Sequence, residues 1–82
     1  MPTIAFIKGI RIEMRQESKE HNPPHIHATY DGFQASFNIY NGTILRGMFP
    51  KKEMRTVSKY IIKNKEELLI MWETQIIRNT RR

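Results

Sequence analysis

The first half of the chain alternates apolar and polar residues with the period of two that is typical of half-buried β-strands. A short apolar run at residues 4–7 precedes it, and the alternation covers residues 10–15, 25–30 and 33–40. Asp31-Gly32 and Asn41-Gly42 are hairpin signals, and the second leads to a short strand at 43–46. The pattern predicts an antiparallel β-meander of four to five strands within residues 3–47, with one apolar and one polar face.

The second half of the chain has the apolar spacing of helices. One face of a helix that starts at residue 50 carries Met54, Val57 and Ile61. Asn64 and Glu67 have the form of a capping box, which indicates that a second helix starts there. The apolar positions of this second helix are Leu68, Leu69, Trp72 and Ile76. Strands followed by helices predict one α+β domain over residues 1–82, with two C-terminal helices at 50–79 packed on one face of the sheet.

The charge of the chain is unevenly distributed. The net charge is +6, and residues 1–45 carry four basic and four acidic side chains, so the whole excess lies in residues 46–82. The face of the first helix opposite its apolar side carries a basic stripe: Lys52, Arg55, Lys59 and Lys63. Such a stripe is suited to contacts with the nucleic-acid backbone, although a solvated helix face has the same pattern.

Composition excludes several classes of protein. The 82 residues contain no cysteine, which rules out disulfides, thiolate metal ligands and a cysteine nucleophile. No apolar stretch is long enough for a membrane-spanning helix, so we expect a cytoplasmic protein that does not interact with membranes. A chain of this size buries a modest core, to which homo-oligomerisation or a bound ion can add stability.

The main candidates for metal binding or catalysis are three histidines that lie within seven residues: His21, His25 and His27. His25 and His27 are two apart on a predicted strand, so they share its polar face. The strand at 10–15 is expected to place Arg11, Glu13 and Arg15 on the same side. Pro23 and Pro24 make the intervening loop stiff and hold His21 at a limited distance from the pair.

One interpretation of this cluster is a metal site. A His-x-His pair on a strand can supply two nitrogen ligands to a divalent metal such as Zn²⁺. His25 and His27 would be that pair, and the third ligand would be His21, Glu13 or Glu20. The protein would then be a metal-dependent hydrolase or a metal-stabilised module.

A second interpretation is a metal-independent ribonuclease. One imidazole of His21, His25 or His27 would take a proton from a 2′-hydroxyl and another would protonate the leaving oxygen, because imidazole titrates near neutral pH. Arg11 or Arg15 would stabilise the developing charge on the phosphate. A third interpretation is that the histidines hold the Pro-Pro loop or contact a partner without any chemistry.

Four stretches of the sequence together resemble a known family: Gly9-Ile10-Arg11-Ile12, His21-Asn22-Pro23-Pro24-His25-Ile26-His27-Ala28, Gly47-x-x-Pro50 and Leu68-Leu69-x-x-Trp72. They look like the small bacterial proteins of the domain of unknown function 4160 family, over nearly the whole chain. Family members resemble parts of two-gene modules in the manner of toxin–antitoxin pairs. The resemblance implies a cognate small protein partner and an RNA or DNA target, and it assigns no catalytic residues.

The chain departs from the pattern of that family in two places. Glu20 stands where an aspartate is common before the first histidine, and the helices are more basic than the resemblance leads us to expect. The first departure weakens any role for that acid, and the second favours a polyanion partner. We therefore expect a toxin–antitoxin-like protein that binds nucleic acid, RNA more than DNA, with the histidine-bearing face as a ribonuclease site. The alternatives are a non-catalytic antitoxin, regulator or inhibitor that acts on a protein partner, and the metal-binding protein.

Overall fold

The computed structural model describes the backbone of residues 3–15 and 23–80 and the side chains of residues 4–15 and 23–74. Within these residues the chain forms five strands and then two helices. The strands are β1 Thr3–Ile7, β2 Ile10–Glu13, β3 His25–Tyr30, β4 Phe33–Asn38 and β5 Ile44–Gly47, and the helices are α1 Lys51–Lys63 and α2 Lys65–Thr80. Every strand pairs antiparallel with the next in one open sheet. The predicted α+β fold, a meander followed by two C-terminal helices, is confirmed.

The apolar positions of the strands meet on one face of the sheet. Cross-strand pairing places Ile12 opposite Ala28, and Ala28 opposite Ala35. The neighbouring pair of Ile26 and Phe37 is fully buried. Val57 and Ile61 of α1 and Leu68 and Trp72 of α2 belong to the same buried cluster, so the two helices cover this face.

Two of the hairpins turn through two residues each. Lys8-Gly9 joins β1 to β2, and Asp31-Gly32 joins β3 to β4. Both residues of each turn have positive φ, at 48° and 82° in the first and 46° and 86° in the second. This is the twist of a type I′ turn, which matches the right-handed twist of the strands and fixes the register on either side.

The connection between β4 and β5 is longer than the sequence predicts. β4 ends at Asn38 and not at residue 40, and Asn41-Gly42 lies within a five-residue loop that precedes β5 at Ile44. The loop is closed by the backbone N–H of Asn38, which donates to Thr43 O at 2.8 Å. Gly42 lies against α1, where the hydroxyl of Ser58 donates to its carbonyl. The turn thus extends beyond the two residues of a tight hairpin, and it contacts the helix at Ser58.

The break between the helices falls where the sequence predicts it, at Asn64. The Asn64 side-chain amide donates to Tyr60 O at 2.9 Å, so it caps the end of α1. The carbonyl of Asn64 accepts the N–H of Leu68 at 3.0 Å, the first backbone bond of the next helix. Neither α1 nor the described length of α2 is long and apolar enough to cross a membrane.

Candidate functional site

The sheet face turned away from the buried cluster carries two rows of residues across the strands, and all but one of these residues are polar. The first row consists of Phe6, Arg11, Thr29 and Gln34 on β1 to β4. The second row consists of Glu13, His27, Ser36 and Arg46 on β2 to β5. We call these eight residues the outer face. Their common side follows from the register, because directly paired residues point the same way.

Glu13, at the β2 end of the second row, forms ion pairs with two arginines. Its carboxylate lies 3.8 Å from Nε of Arg11 and 3.5 Å from Nε of Arg15. The Glu13 side chain is 16% exposed, whereas those of Arg11 and Arg15 are 53% and 45% exposed. The carboxylate thus holds two guanidinium groups at the surface, close to its cross-strand neighbour His27. The expectation that Arg11, Glu13 and Arg15 lie on the side of the histidines agrees with this geometry.

His25 and His27 share a side of β3, with ring centroids 5.2 Å apart in an edge-to-face arrangement. Their exposures differ, because His25 is only 6% exposed. The His25 ring packs 4.9 Å from the ring of Trp72. Its Nδ1 lies 2.9 Å from Pro23 O, and since a carbonyl oxygen only accepts, Nδ1 is the donor.

The burial of His25 corrects the expectation of an accessible pair of imidazoles on this strand. His25 holds the start of β3 to the Pro-Pro loop and to α2, which is a structural arrangement. His27 is half-buried in the second row of the outer face. Of the two described histidines it is therefore the one that lies on the candidate surface.

His21 and Glu20 lie outside the described residues, so the roles predicted for them stay predictions. Within residues 3–15 and 23–80, no group of three or more His, Cys, Asp or Glu side chains is placed to hold a metal ion. A three-ligand site for a metal such as Zn²⁺ would therefore need at least one ligand from residues 16–22.

The basic stripe of α1 is exposed along its whole length. Lys52, Arg55, Lys59 and Lys63 are all exposed, whereas Val57 and Ile61 on the other side of the helix are fully buried. The four positions span twelve residues, and the eleven steps from Lys52 to Lys63 correspond to about 16 Å of helix. The stripe and the outer face lie on the two opposite layers of the protein.

Sequence analysis missed two residues of the outer face, Phe6 and Arg46. Phe6 belongs to an apolar run without alternation, so only its pairing with Arg11 shows which way it points. Arg46 pairs with Ser36 across a register shift between β4 and β5. The shift lies at Leu45, between the pair of Arg46 with Ser36 and the pair of Ile44 with Phe37. On the other side of Arg46, Gly47 has a φ of 96° and an added Cβ would lie 2.8 Å from Cα of Ala35, so only glycine fits there.

Comparison with known proteins gives one result. A search of curated proteins and a search of solved structures return no match. A family model described as a domain of unknown function, DUF4160, matches residues 9–73, which include β2 to β5, α1 and the first half of α2. The chain therefore belongs to the domain of unknown function 4160 family.

Proposed function

We propose that this protein binds RNA and that the basic stripe of α1 contacts the phosphate backbone. The observation that carries the proposal is the exposure of all four cations of the stripe on one side of a helix. Side chains three and four residues apart lie about 5–6 Å from one another on a helix surface, so the stripe forms a continuous cationic line. Such a line neutralises several neighbouring phosphates and gains affinity from the counterions that it releases.

The charge balance of the helix supports the same proposal. Glu53 is the acidic residue of α1, and it lies half-buried in the first turn. Its carboxylate acts on Tyr30, where repulsion of the phenolate by the Glu53 charge raises the pKa of the phenol. The stripe therefore faces solvent with positive charge alone. A helix face that served only for solubility would more commonly mix charges of both signs.

The proposal is for binding in the cytoplasm, as one component of a toxin–antitoxin-like pair. A ribonuclease mechanism with two imidazoles would have to use His21 beside His27, because His25 is buried against Trp72. RNA cleavage in the presence of EDTA is the direct measurement of that further activity. Binding requires only the surface charges that the described residues supply.

The test is the salt dependence of RNA binding. With four phosphate contacts, the logarithm of the association constant for single-stranded RNA should fall against the logarithm of salt concentration with a slope of about −3. The double variant Arg55→Gln/Lys59→Gln should weaken binding and make the slope shallower by about 1.4. Fluorescence anisotropy with a labelled oligonucleotide measures both quantities.

The matched control removes two positive charges away from the stripe. Lys8→Gln/Lys65→Gln changes the net charge by the same amount, at the β1–β2 turn and at the start of α2. It should leave the slope close to that of the unchanged protein. Equal slopes for the two double variants, or no RNA binding at low salt, would refute the proposed function.

A cognate protein partner is the second candidate, and a different observation favours it. Three large apolar side chains on the helices are exposed: Ile62 at 55%, Ile70 at 63% and Met71 at 40%. Exposed apolar residues on a helical layer are typical of protein interfaces when they form a patch. A non-catalytic antitoxin, regulator or inhibitor would use such a surface.

The partner candidate is tested with the short protein that the resemblance to the family predicts to be encoded beside this one. Co-expression followed by co-purification should give a complex that Ile70→Lys disrupts, while Glu73→Lys on the same helix should leave it intact. Growth arrest on expression of one protein, relieved by the other, would identify the pair as toxin and antitoxin. Failure of the two purified proteins to associate would refute this candidate and leave the RNA proposal standing.

A further inference from the structure

The outer face of the sheet contains an exposed phenylalanine that the fold does not use. Phe6 is 70% exposed on edge strand β1. Its strand neighbours Ala5 and Ile7 pair with the buried residues Ile12 and Ile10, whereas Phe6 pairs with Arg11 on the opposite side. A single exposed apolar residue is common on protein surfaces, so its exposure alone carries no conclusion.

The surroundings of Phe6 are what distinguish it. Its row continues with a guanidinium, a hydroxyl and a carboxamide, from Arg11, Thr29 and Gln34. The next row, about 7 Å along the strands, adds the imidazole of His27, the hydroxyl of Ser36 and the guanidinium of Arg46. Each row crosses four strands, or about 14 Å. Together they combine a flat aromatic ring, hydrogen-bonding groups and positive charge.

We propose that the outer face is a platform for single-stranded RNA, with one base stacked on Phe6. Unstacked bases bind to aromatic side chains on open sheets, and the space of two rows over four strands suits two to three nucleotides. The side chains of Thr29, Gln34 and Ser36 would contact base edges and 2′-hydroxyls. This inference rests on the proposed function and adds to it the form of RNA and a second binding surface.

Charge on the outer face is consistent with that ligand. Among the eight residues of the outer face, Arg11 and Arg46 provide two guanidinium groups and Glu13 provides one carboxylate. Arg15, whose Nε lies 3.5 Å from the Glu13 carboxylate, adds a third guanidinium beside the face. Because Glu13 lies within 4 Å of both Arg11 and Arg15, it fixes their positions at the surface while leaving a net positive charge. His25, at the start of β3, is buried against Trp72 and does not add to this face.

The decisive experiment compares single-stranded RNA with a duplex of the same sequence. Phe6→Ala should weaken binding of a mixed-sequence single strand roughly 5- to 100-fold, which is the loss of one stacked base. Binding of the duplex should not change, because its bases are already stacked within the helix. Ile70→Ala is the matched control, since Ile70 is exposed to 63% on α2, and it should change neither affinity.

A second variant reports on stacking directly and does not depend on a loss of binding. Phe6→Trp keeps an aromatic surface, so it should retain affinity for the single strand. The fluorescence of the introduced indole should be quenched when the single strand is added, against the background of the buried Trp72. Absence of quenching while RNA is bound would overturn the proposal.

The outcomes separate this inference from the proposed function. If the unchanged protein binds single-stranded RNA with a steep salt dependence and Phe6→Ala binds equally well, the platform is refuted and the α1 stripe stands. Equal weakening of the single strand and the duplex by Phe6→Ala would also refute the platform. If the unchanged protein binds no RNA, the proposed function fails, and the platform fails with it.

Discussion

The two histidines of strand β3 differ in what covers them. The start of the strand is covered by other parts of the chain, and we call it the closed end; further along, at the open end, the strand lies at the surface. At the closed end, His25 is buried between the Pro-Pro loop and Trp72. Two residues further on, His27 is half-buried on the outer face beside Glu13 and Ser36. Two histidines of one motif can therefore have different roles, one structural and one at the surface, depending on what packs over each ring. The following predictions test this division.

The largest effect is expected at the closed end, from Trp72→Ala. Removal of a buried indole costs about 3–5 kcal/mol, because it leaves a cavity beside His25 and the apolar core. A domain of this size has a stability of about 5 kcal/mol, so the variant should be close to unfolding. Trp72→Phe keeps most of the volume and should lose about 1 kcal/mol.

Urea denaturation followed by circular dichroism measures these losses. Met71→Ala is the control, because Met71 precedes Trp72 on α2 and is 40% exposed. It should change the free energy of unfolding by about 0.5 kcal/mol or less. If Met71→Ala lowered the free energy of unfolding as much as Trp72→Ala, the burial of Trp72 against His25 at the closed end would be contradicted.

Substitution of His25 should mainly lower stability, whereas substitution of His27 should mainly weaken RNA binding. His25→Ala should lower the free energy of unfolding by about 1–3 kcal/mol, since it leaves Pro23 O without this donor and removes a buried ring. His27→Ala should change stability by less than about 1 kcal/mol and weaken RNA binding instead. Denaturation and RNA binding are measured on both variants. The reverse pattern, with His27 the more important for stability, would contradict the comparison.

The smallest effect concerns two tyrosines, Tyr30 at the last position of β3 and Tyr60 near the end of α1. At the open end, Tyr30 has a raised pKa, mainly because the Glu53 carboxylate repels its phenolate. At the junction of the helices, the pKa of Tyr60 is raised mainly by burial and to a lesser extent by Glu67. Salt screens charges between exposed groups but not burial. High salt should therefore lower the pKa of Tyr30 towards 10.0 and leave that of Tyr60 nearly unchanged.

The sign of the pH dependence follows from the same shifts. A raised pKa means that the folded state favours the neutral phenol, so the stability from Tyr60 is complete below pH 10.0 and is lost as the pH rises through its folded-state value. Tyr60→Phe should remove this part of the alkaline loss. Ring resonances in an NMR titration distinguish the tyrosines, and Glu53→Gln should lower the pKa of Tyr30 alone. Equal responses of both tyrosines to salt would contradict the two causes.

Prediction from sequence worked best where a local pattern is sufficient. The break at Asn64, the hairpin at Asp31-Gly32 and the exposed stripe of α1 each depend on residues within a few positions of one another. It was less accurate at Asn41-Gly42, where contact with Ser58 of α1 accompanies a longer loop. Such a contact joins residues that are sixteen positions apart, which no local pattern contains.

The residues of the candidate site also differ in whether the sequence alone could place them. Alternation was enough to put Arg11, Glu13 and His27 on one side of the sheet, because side-chain direction along a strand is a local property. Arg46 could not be placed without the register shift between β4 and β5, and Phe6 could not be placed without its pairing to Arg11. The burial of His25 required the position of α2.

Periodicity and charge along the chain are enough to predict the succession of strands and helices, the two faces of the sheet and the cationic side of α1. Which imidazole is covered, and which residues form rows across the strands, depends on how the folded chain packs. Burial and cross-strand neighbourhood arise from contacts between distant parts of the chain, which a local pattern does not contain. Trp72 lies 47 positions after His25, and the packing of its ring over that histidine removes it from the surface that His27 occupies.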